Sequence, residues 1–189
     1  MKAPLQKKYE KEVVKLLGKE LGRKNLLSLP KVLKVNINVG IGSRVTSGSK
    51  DFSSIVNSVQ EITGQKPSVR KARLSVSNFK LREGMPVGLS ITLRGRRMYD
   101  FIERLVNIAL PRVRDFRGIS VKGFDGKGNF CLGLKDCTIF PEVDQEKLAG
   151  ATHGLQINVC TSAKNDREAY VLLKALGFPF KDEVTVETK

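Results

Sequence analysis

Three stretches of the chain alternate apolar and polar residues, and together they constrain the fold more than any other feature. In "KVLKVNINVG", Leu33, Val35, Ile37 and Val39 point one way while Lys34, Asn36 and Asn38 point the other. "VGLSITLR" sets Val87, Leu89, Ile91 and Leu93 against Ser90, Thr92 and Arg94, and "GLQINVCT" sets Leu155, Ile157 and Val159 against Gln156, Asn158 and Cys160. A period of two is the signature of a strand with one buried face and one wet face.

Between these strands the period changes to that of a helix. Leu5, Tyr9, Val13, Leu16 and Leu17 fall on one helical face, as do Phe52, Ile55, Val56, Val59 and Ile62, with Gly64 placed to stop the second helix. Met98, Phe101, Ile102, Leu105, Ile108 and Ala109 form a third apolar face ending near Pro111, with Asp100 and Arg104 spaced as an i,i+4 ion pair. A last helix is predicted from a capping box at Asn165 and Glu168, burying Ala169, Leu172, Leu173 and Leu176 before Gly177. The Gly-rich region 116–142 reads as loops and a short hairpin around "NFCLGL", with a turn at Asp125–Gly126.

One-faced strands and one-faced helices give an α+β fold, a largely antiparallel sheet with helices packed on one side. The other side then presents Lys34, Asn36, Asn38, Ser90, Thr92, Arg94, Gln156 and Asn158. Polar sheet residues often only face water, but amides and hydroxyls concentrated in three strands favour a binding face. At 189 residues the chain has room for one sizeable domain, taken as 1–180, followed by a polar tail at 181–189.

The charge says what kind of partner that face would suit. The chain carries 34 Lys and Arg against 19 Asp and Glu, a net +15. Residues 1–100 hold 21 of the cations and 7 of the acids, so nearly all the positive field comes from the first half. Such asymmetry points to a polyanion, because neutralised phosphates release counterions. The segment Gln65 to Pro86 concentrates it, with Lys66, Arg70, Lys71, Arg73, Lys80 and Arg82 against Glu83. Having little apolar surface to bury, it reads as a cationic arm that orders on a nucleic-acid partner, with Phe79 as a stacking or anchoring residue.

Signals for catalysis or cofactors are weak. "NVGIGS" has GxG but no third glycine, and reads as a tight turn rather than a dinucleotide loop. His153, the single histidine, has no nucleophile at a diagnostic spacing and is expected in a surface loop. Cys131, Cys137 and Cys160 match no zinc spacing and are expected to be reduced. No metal, cofactor or enzymatic activity is expected. The N-terminus has no apolar signal region and no stretch is long enough to span a membrane, so a cytoplasmic protein without a membrane partner is expected.

The motifs "ITGQKP", "NFKLREGMPVG", "ITLRG", "RMYDFIERLVNIALPRVRDFRG", "FDGKGNF", "FPE" and "LLKALGFPF" occur in an order that resembles the large-subunit ribosomal protein five family, bacterial type. The likeness runs from about Leu5 to Phe180. It implies a five-stranded, mostly antiparallel sheet with one long basic loop. It also implies a structural role in the large subunit: 5S ribosomal RNA binding in the central protuberance, beside 23S-type RNA and neighbouring proteins. Contact with P-site transfer RNA is implied too, with a bridge to small-subunit protein thirteen.

By motif, the implied 5S-contacting residues are Asn38, Gln65, Thr92 and Arg94. Alternation had already placed Asn38, Thr92 and Arg94 on the polar face, and Lys34 and Asn36 join them there. The implied transfer-RNA loop, roughly 70–82, offers Arg70, Lys71, Arg73, Ser77, Asn78, Phe79, Lys80 and Arg82. Arg44 departs from the family pattern and is expected to add a phosphate contact. The competing readings are an RNA-processing enzyme, for which no acid pair or metal cluster is visible, and a ribosome-independent RNA-binding protein or RNA chaperone.

Overall fold

The computed structural model of the protein describes residues 3–46, 52–143 and 152–181. The expected polar tail lies outside the described residues, except Lys181. Five strands form one antiparallel sheet in the order β2-β3-β1-β5-β4. They are β1 (Val32–Gly40), β2 (Ser68–Lys71), β3 (Pro86–Leu93), β4 (Phe130–Leu134) and β5 (Leu155–Thr161). The expected α+β class and five-stranded sheet are therefore what the chain forms. Its residues cluster into two compact units, one of 1–35, 93–132 and 158–189, the other of 36–92 and 133–157.

In the first unit, helix α1 (Pro4–Lys8) passes through a π-helical turn, Tyr9–Val13, into α2 (Val14–Glu20). Leu5, Val13 and Leu17 are buried as their spacing predicts, but Leu16, at the margin of the apolar stripe, is exposed. Helix α5 (Gly95–Arg104) continues through π-helical Leu105–Ala109 to a 3-10 turn containing Pro111. It buries Met98, Phe101, Ile102, Leu105 and Ala109, while Ile108 is exposed. The Asp100 carboxylate pairs one turn back with Arg96 at 3.4 Å, and Arg104 Nε donates to the Asp100 carbonyl.

Helix α6 (Asp166–Leu176) buries Ala169, Leu172, Leu173 and Leu176 and stops at left-handed Gly177. The expected capping box forms differently. The Asn165 side chain makes no cap bond, and Glu168 instead pairs with Arg23 and accepts from the Lys164 N–H. The Asp166 carboxylate is directed away from the helix, its two oxygens accepting the Gly126 and Gly128 N–H groups at 2.9 Å each. Those N–H groups belong to the predicted Asp125–Gly126 turn, where Asp125 accepts from the Lys127 and Asn129 N–H groups. An isolated bridge between Phe124 and Phe130 closes this turn, while "NFCLGL", expected as a short hairpin, supplies β4, which pairs beside β5 instead.

In the second unit, α3 (Gly42–Thr46) follows β1 after Ile41, so "NVGIGS", expected as a tight turn, leads into a short helix. Helix α4 (Ser53–Thr63) buries Ile55, Val59 and Ile62 and ends at Gly64, whose φ of 66° is the left-handed cap expected of it. The core also takes Ile37, Val39, Ile41, Leu89, Ile91, Phe140, Leu155 and Ile157. His153 is in this core rather than in a surface loop, with Nδ1 3.5 Å from the buried Cys137 sulfur. Burial pushes the Cys137 thiol above its ordinary range. None of the three cysteines is in a disulfide; Cys131 is exposed and Cys160 half-buried.

Candidate nucleic-acid interface

Alternation in β1 holds from Val35 onward. Val35, Ile37 and Val39 are buried, while Lys34, Asn36 and Asn38 are half-buried. It fails at the strand's first rung, where Val32 takes the buried place and Leu33 is 47% exposed. In β3, Leu89, Ile91 and Leu93 are buried and Ser90 and Thr92 half-buried. The β5 row likewise leaves Gln156 exposed and Asn158 half-buried. Strands β3, β1 and β5 are consecutive in the sheet.

Within the second unit, the Thr92 hydroxyl donates to Asn36 Oδ1 at 3.0 Å, so the predicted residues Thr92 and Asn36 meet across the strands. This bond sets what Thr92 can offer a ligand. A hydroxyl has one proton and two lone pairs, and the proton is already committed to Asn36. In this arrangement Thr92 accepts: a 2′-hydroxyl or an exocyclic amino group can bond to it, whereas a phosphate oxygen would have to displace Asn36. The sequence alone leaves all three partners open, so the structure narrows the chemistry.

Gln65 is half-buried just beyond α4. Its N–H donates at 3.3 Å to the Thr63 hydroxyl, whose own proton is shared between the Val59 carbonyl at 2.7 Å and the Gln65 carbonyl at 3.0 Å. Arg94 and Lys34 belong to the first unit, where Arg94 is exposed and is the N-cap residue of α5. Arg44 does not simply face solvent: one of its guanidinium nitrogens donates to the Thr152 carbonyl at 3.3 Å.

The basic segment is more ordered than its sequence suggests. Its first residues form edge strand β2, antiparallel to β3, with Val69 opposite Leu89 and a bulge between Arg70 and Lys71. Beyond the bulge the chain continues as a hairpin. Ala72 N–H donates to the Met85 carbonyl at 2.8 Å and Gly84 N–H to the Ala72 carbonyl at 3.0 Å; Val76 and Leu81 exchange both backbone bonds. Ser77–Phe79 forms a 3-10 turn at the tip, and Lys80, with φ 52°, turns the chain back.

Arg70, Lys71, Arg73, Ser77, Asn78, Phe79, Lys80 and Arg82 are all exposed on this hairpin, as are Leu74 and Val76. The expectation that the arm orders only on its partner is thus corrected: main-chain pairing, which needs no apolar side chains, already orders it. Among the described residues no group of three or more His, Cys, Asp or Glu side chains could hold a metal ion, and no helix is long and apolar enough to cross a membrane.

Comparison with known proteins agrees with this architecture. Residues 25–82 match the family model described as "Ribosomal protein L5", and residues 86–180 match the "ribosomal L5P family C-terminus". The chain is 49% identical to the "Large ribosomal subunit protein uL5" of Chloroflexus aurantiacus over 182 residues, which cover 96% of this chain and 100% of that protein. It is 49% identical to the protein of the same description from Thermoanaerobacter sp. over 93% of this chain and 97% of that one. For Mycoplasma mycoides the identity is 48%, over 96% of this chain and 99% of the relative. These relatives are structural ribosomal proteins rather than enzymes. The chain belongs to the ribosomal protein L5 family, the uL5 proteins of the large ribosomal subunit.

Proposed function

We propose that the chain, as a constituent of the large subunit of cytoplasmic ribosomes, binds 5S ribosomal RNA through the polar side of β1 and β3. Asn36, Asn38, Gln65 and Thr92 supply hydrogen bonds, and Lys34 and Arg94 supply charge. Arg94 fork-bonds phosphate, while Thr92 accepts from a sugar hydroxyl or a base amino group. The observation that carries this reading is the Thr92–Asn36 pair, a half-buried polar contact on the side of the sheet opposite its buried residues.

The basic hairpin serves a second RNA, the P-site transfer RNA. Its cations suit backbone contact, which fixes position without reading sequence. One protein can then accept every transfer RNA. Because the hairpin is ordered beforehand, its docking does not pay for folding a loop. A bridge to small-subunit protein thirteen and contacts to 23S-type RNA and neighbouring central-protuberance proteins complete the proposed setting.

The test is filter binding of 5S RNA at fixed salt. Arg94→Ala and Thr92→Ala are expected to weaken it with the fold intact, and unchanged affinity in both would defeat the polar-face reading. Replacing Arg70, Lys71, Arg73, Lys80 and Arg82 by Ala should spare 5S binding and impair transfer-RNA accommodation. Failure of the tagged protein to sediment with large subunits would favour a ribosome-independent RNA-binding role.

A further inference from the structure

Residues 26–28 form a 3-10 turn before β1 that holds two leucines in solvent, Leu26 at 63% and Leu27 at 95% exposure. The turn is firmly fastened. Asn25 Oδ1 accepts the Leu27 N–H at 3.0 Å, and the Ser28 hydroxyl donates to the Asn25 carbonyl at 2.8 Å. Arg23 donates to the Ser28 carbonyl at 3.0 Å while it also pairs with Glu168 of α6. On the far side Leu29 and Pro30 are buried, Tyr9 donates to the Pro30 carbonyl at 3.0 Å, and the Lys31 N–H bonds to Ser162 Oγ at 3.0 Å. The same short segment therefore sends Leu29 into the core and fixes Leu26 and Leu27 outside it.

Charge identifies what such a turn would meet. Residues 19–34 carry five cations, Lys19, Arg23, Lys24, Lys31 and Lys34, against the one acid Glu20. Lys24 and Lys31 stand exposed on either side of the leucines. An apolar tip between cations suits a polyanion with an accessible shallow groove, and the minor groove of A-form RNA, where ribose carbons are exposed among the 2′-hydroxyls and base edges, is one. The deep, narrow major groove would not admit it.

We propose that the Leu26–Leu27 turn is an apolar contact that seats in a minor groove of 5S ribosomal RNA while Lys24 and Lys31 reach the flanking phosphates. The inference rests on the reading that the chain binds 5S RNA, and it adds a site outside the polar sheet face.

The test uses the full chain carrying L26S/L27S, whose fold should be unchanged because both side chains are already in solvent; circular dichroism melting checks this. Affinity for a 5S RNA transcript should fall about tenfold, the contribution of one well-buried leucine. The dependence of log K on log salt should keep its slope, because no cation is removed. Hydroxyl-radical protection should disappear from one short run of riboses and persist elsewhere. Unchanged affinity overturns the proposal, and so does loss of the protein from large subunits with 5S binding intact, which would assign the turn to a protein partner. If T92A and R94A bind normally while L26S/L27S does not, the polar-face reading fails and this contact stands. If the wild-type chain does not bind 5S RNA, both fall.

Discussion

Thr92→Val replaces a hydroxyl by a methyl of nearly the same shape, so its effect isolates one hydrogen-bonding group. In the structure that hydroxyl donates to Asn36 Oδ1 at 3.0 Å, leaving only its lone pairs for RNA. One neutral hydrogen bond contributes about 0.5–1.5 kcal/mol net, so 5S RNA affinity should fall about 2- to 12-fold. Thr92→Ser, which keeps the hydroxyl, should recover most of it. The decisive assay is a double-mutant cycle across the interface, pairing wild-type and Thr92→Val protein with modified RNAs. A 2′-deoxy substitution at the contacted ribose, or removal of the contacted amino group as in inosine for guanosine, should abolish the difference between the two proteins. A methylphosphonate should not, because a phosphate oxygen has no proton to give. Coupling of Thr92 to a phosphate and to no sugar or base would refute the donor assignment and the chemistry built on it.

Four further outcomes follow from the first unit. Asp166→Ala removes the acceptor of two backbone N–H groups in the 125–129 turn and should cost about 2 kcal/mol, lowering Tm by about 4–8 °C in a melting experiment. Gly126→Ala meets only the strain of its φ of 81° and should cost about 1 kcal/mol in urea unfolding. Gly128→Ala also sets a methyl 2.8 Å from the Ala163 carbonyl oxygen and should cost about 3 kcal/mol or more by the same measure. The Tyr99 phenol is pushed up to about 12 by burial, with Tyr9 and Glu10 adding to the shift from an ordinary 10.0. A folded-state value above the unfolded one means its contribution is complete below pH 10 and lost as pH rises towards 12. Ultraviolet titration of wild type against Tyr99→Phe should show that late-ionising phenol.

The sequence revealed elements whose burial follows a period and hid those held by other means. Val35, Ile37 and Val39 announced β1, and Ile55, Val59 and Ile62 announced α4, because each series faces a core. Strand β2 gave no such sign: all four of its residues are exposed, and it exists through backbone pairing with β3. The ordered hairpin beyond it was hidden for the same reason. Leu33 followed the alternation in sequence but is exposed because the strand's first buried place goes to Val32. His153 looked like a loop residue because its partner, Cys137, is 16 residues away and joined to it only by the fold. Asp166 and Glu168 lay at capping positions, yet their carboxylates serve Gly126, Gly128 and Arg23, which no local pattern could indicate. Of the candidate site, alternation placed Asn36 and Thr92 on one face; the direction of the hydrogen bond between them required coordinates.

The strand order has a consequence for how the protein is made. β5 is the last strand to be synthesised, yet it pairs between β1 and β4. While the chain emerges, β2, β3 and β1 can pair, but β1 keeps a bare rim of unpaired N–H and C=O groups until β5 arrives. Closing that rim joins segments far apart in the chain, a slow event in folding. A nascent or truncated chain ending before Leu155 would already carry the β1 and β3 residues proposed to bind RNA and the basic hairpin. It would also carry a sticky edge open to any other strand. Completion of β5 thus separates a chain with its central strand paired from a fragment prone to self-association.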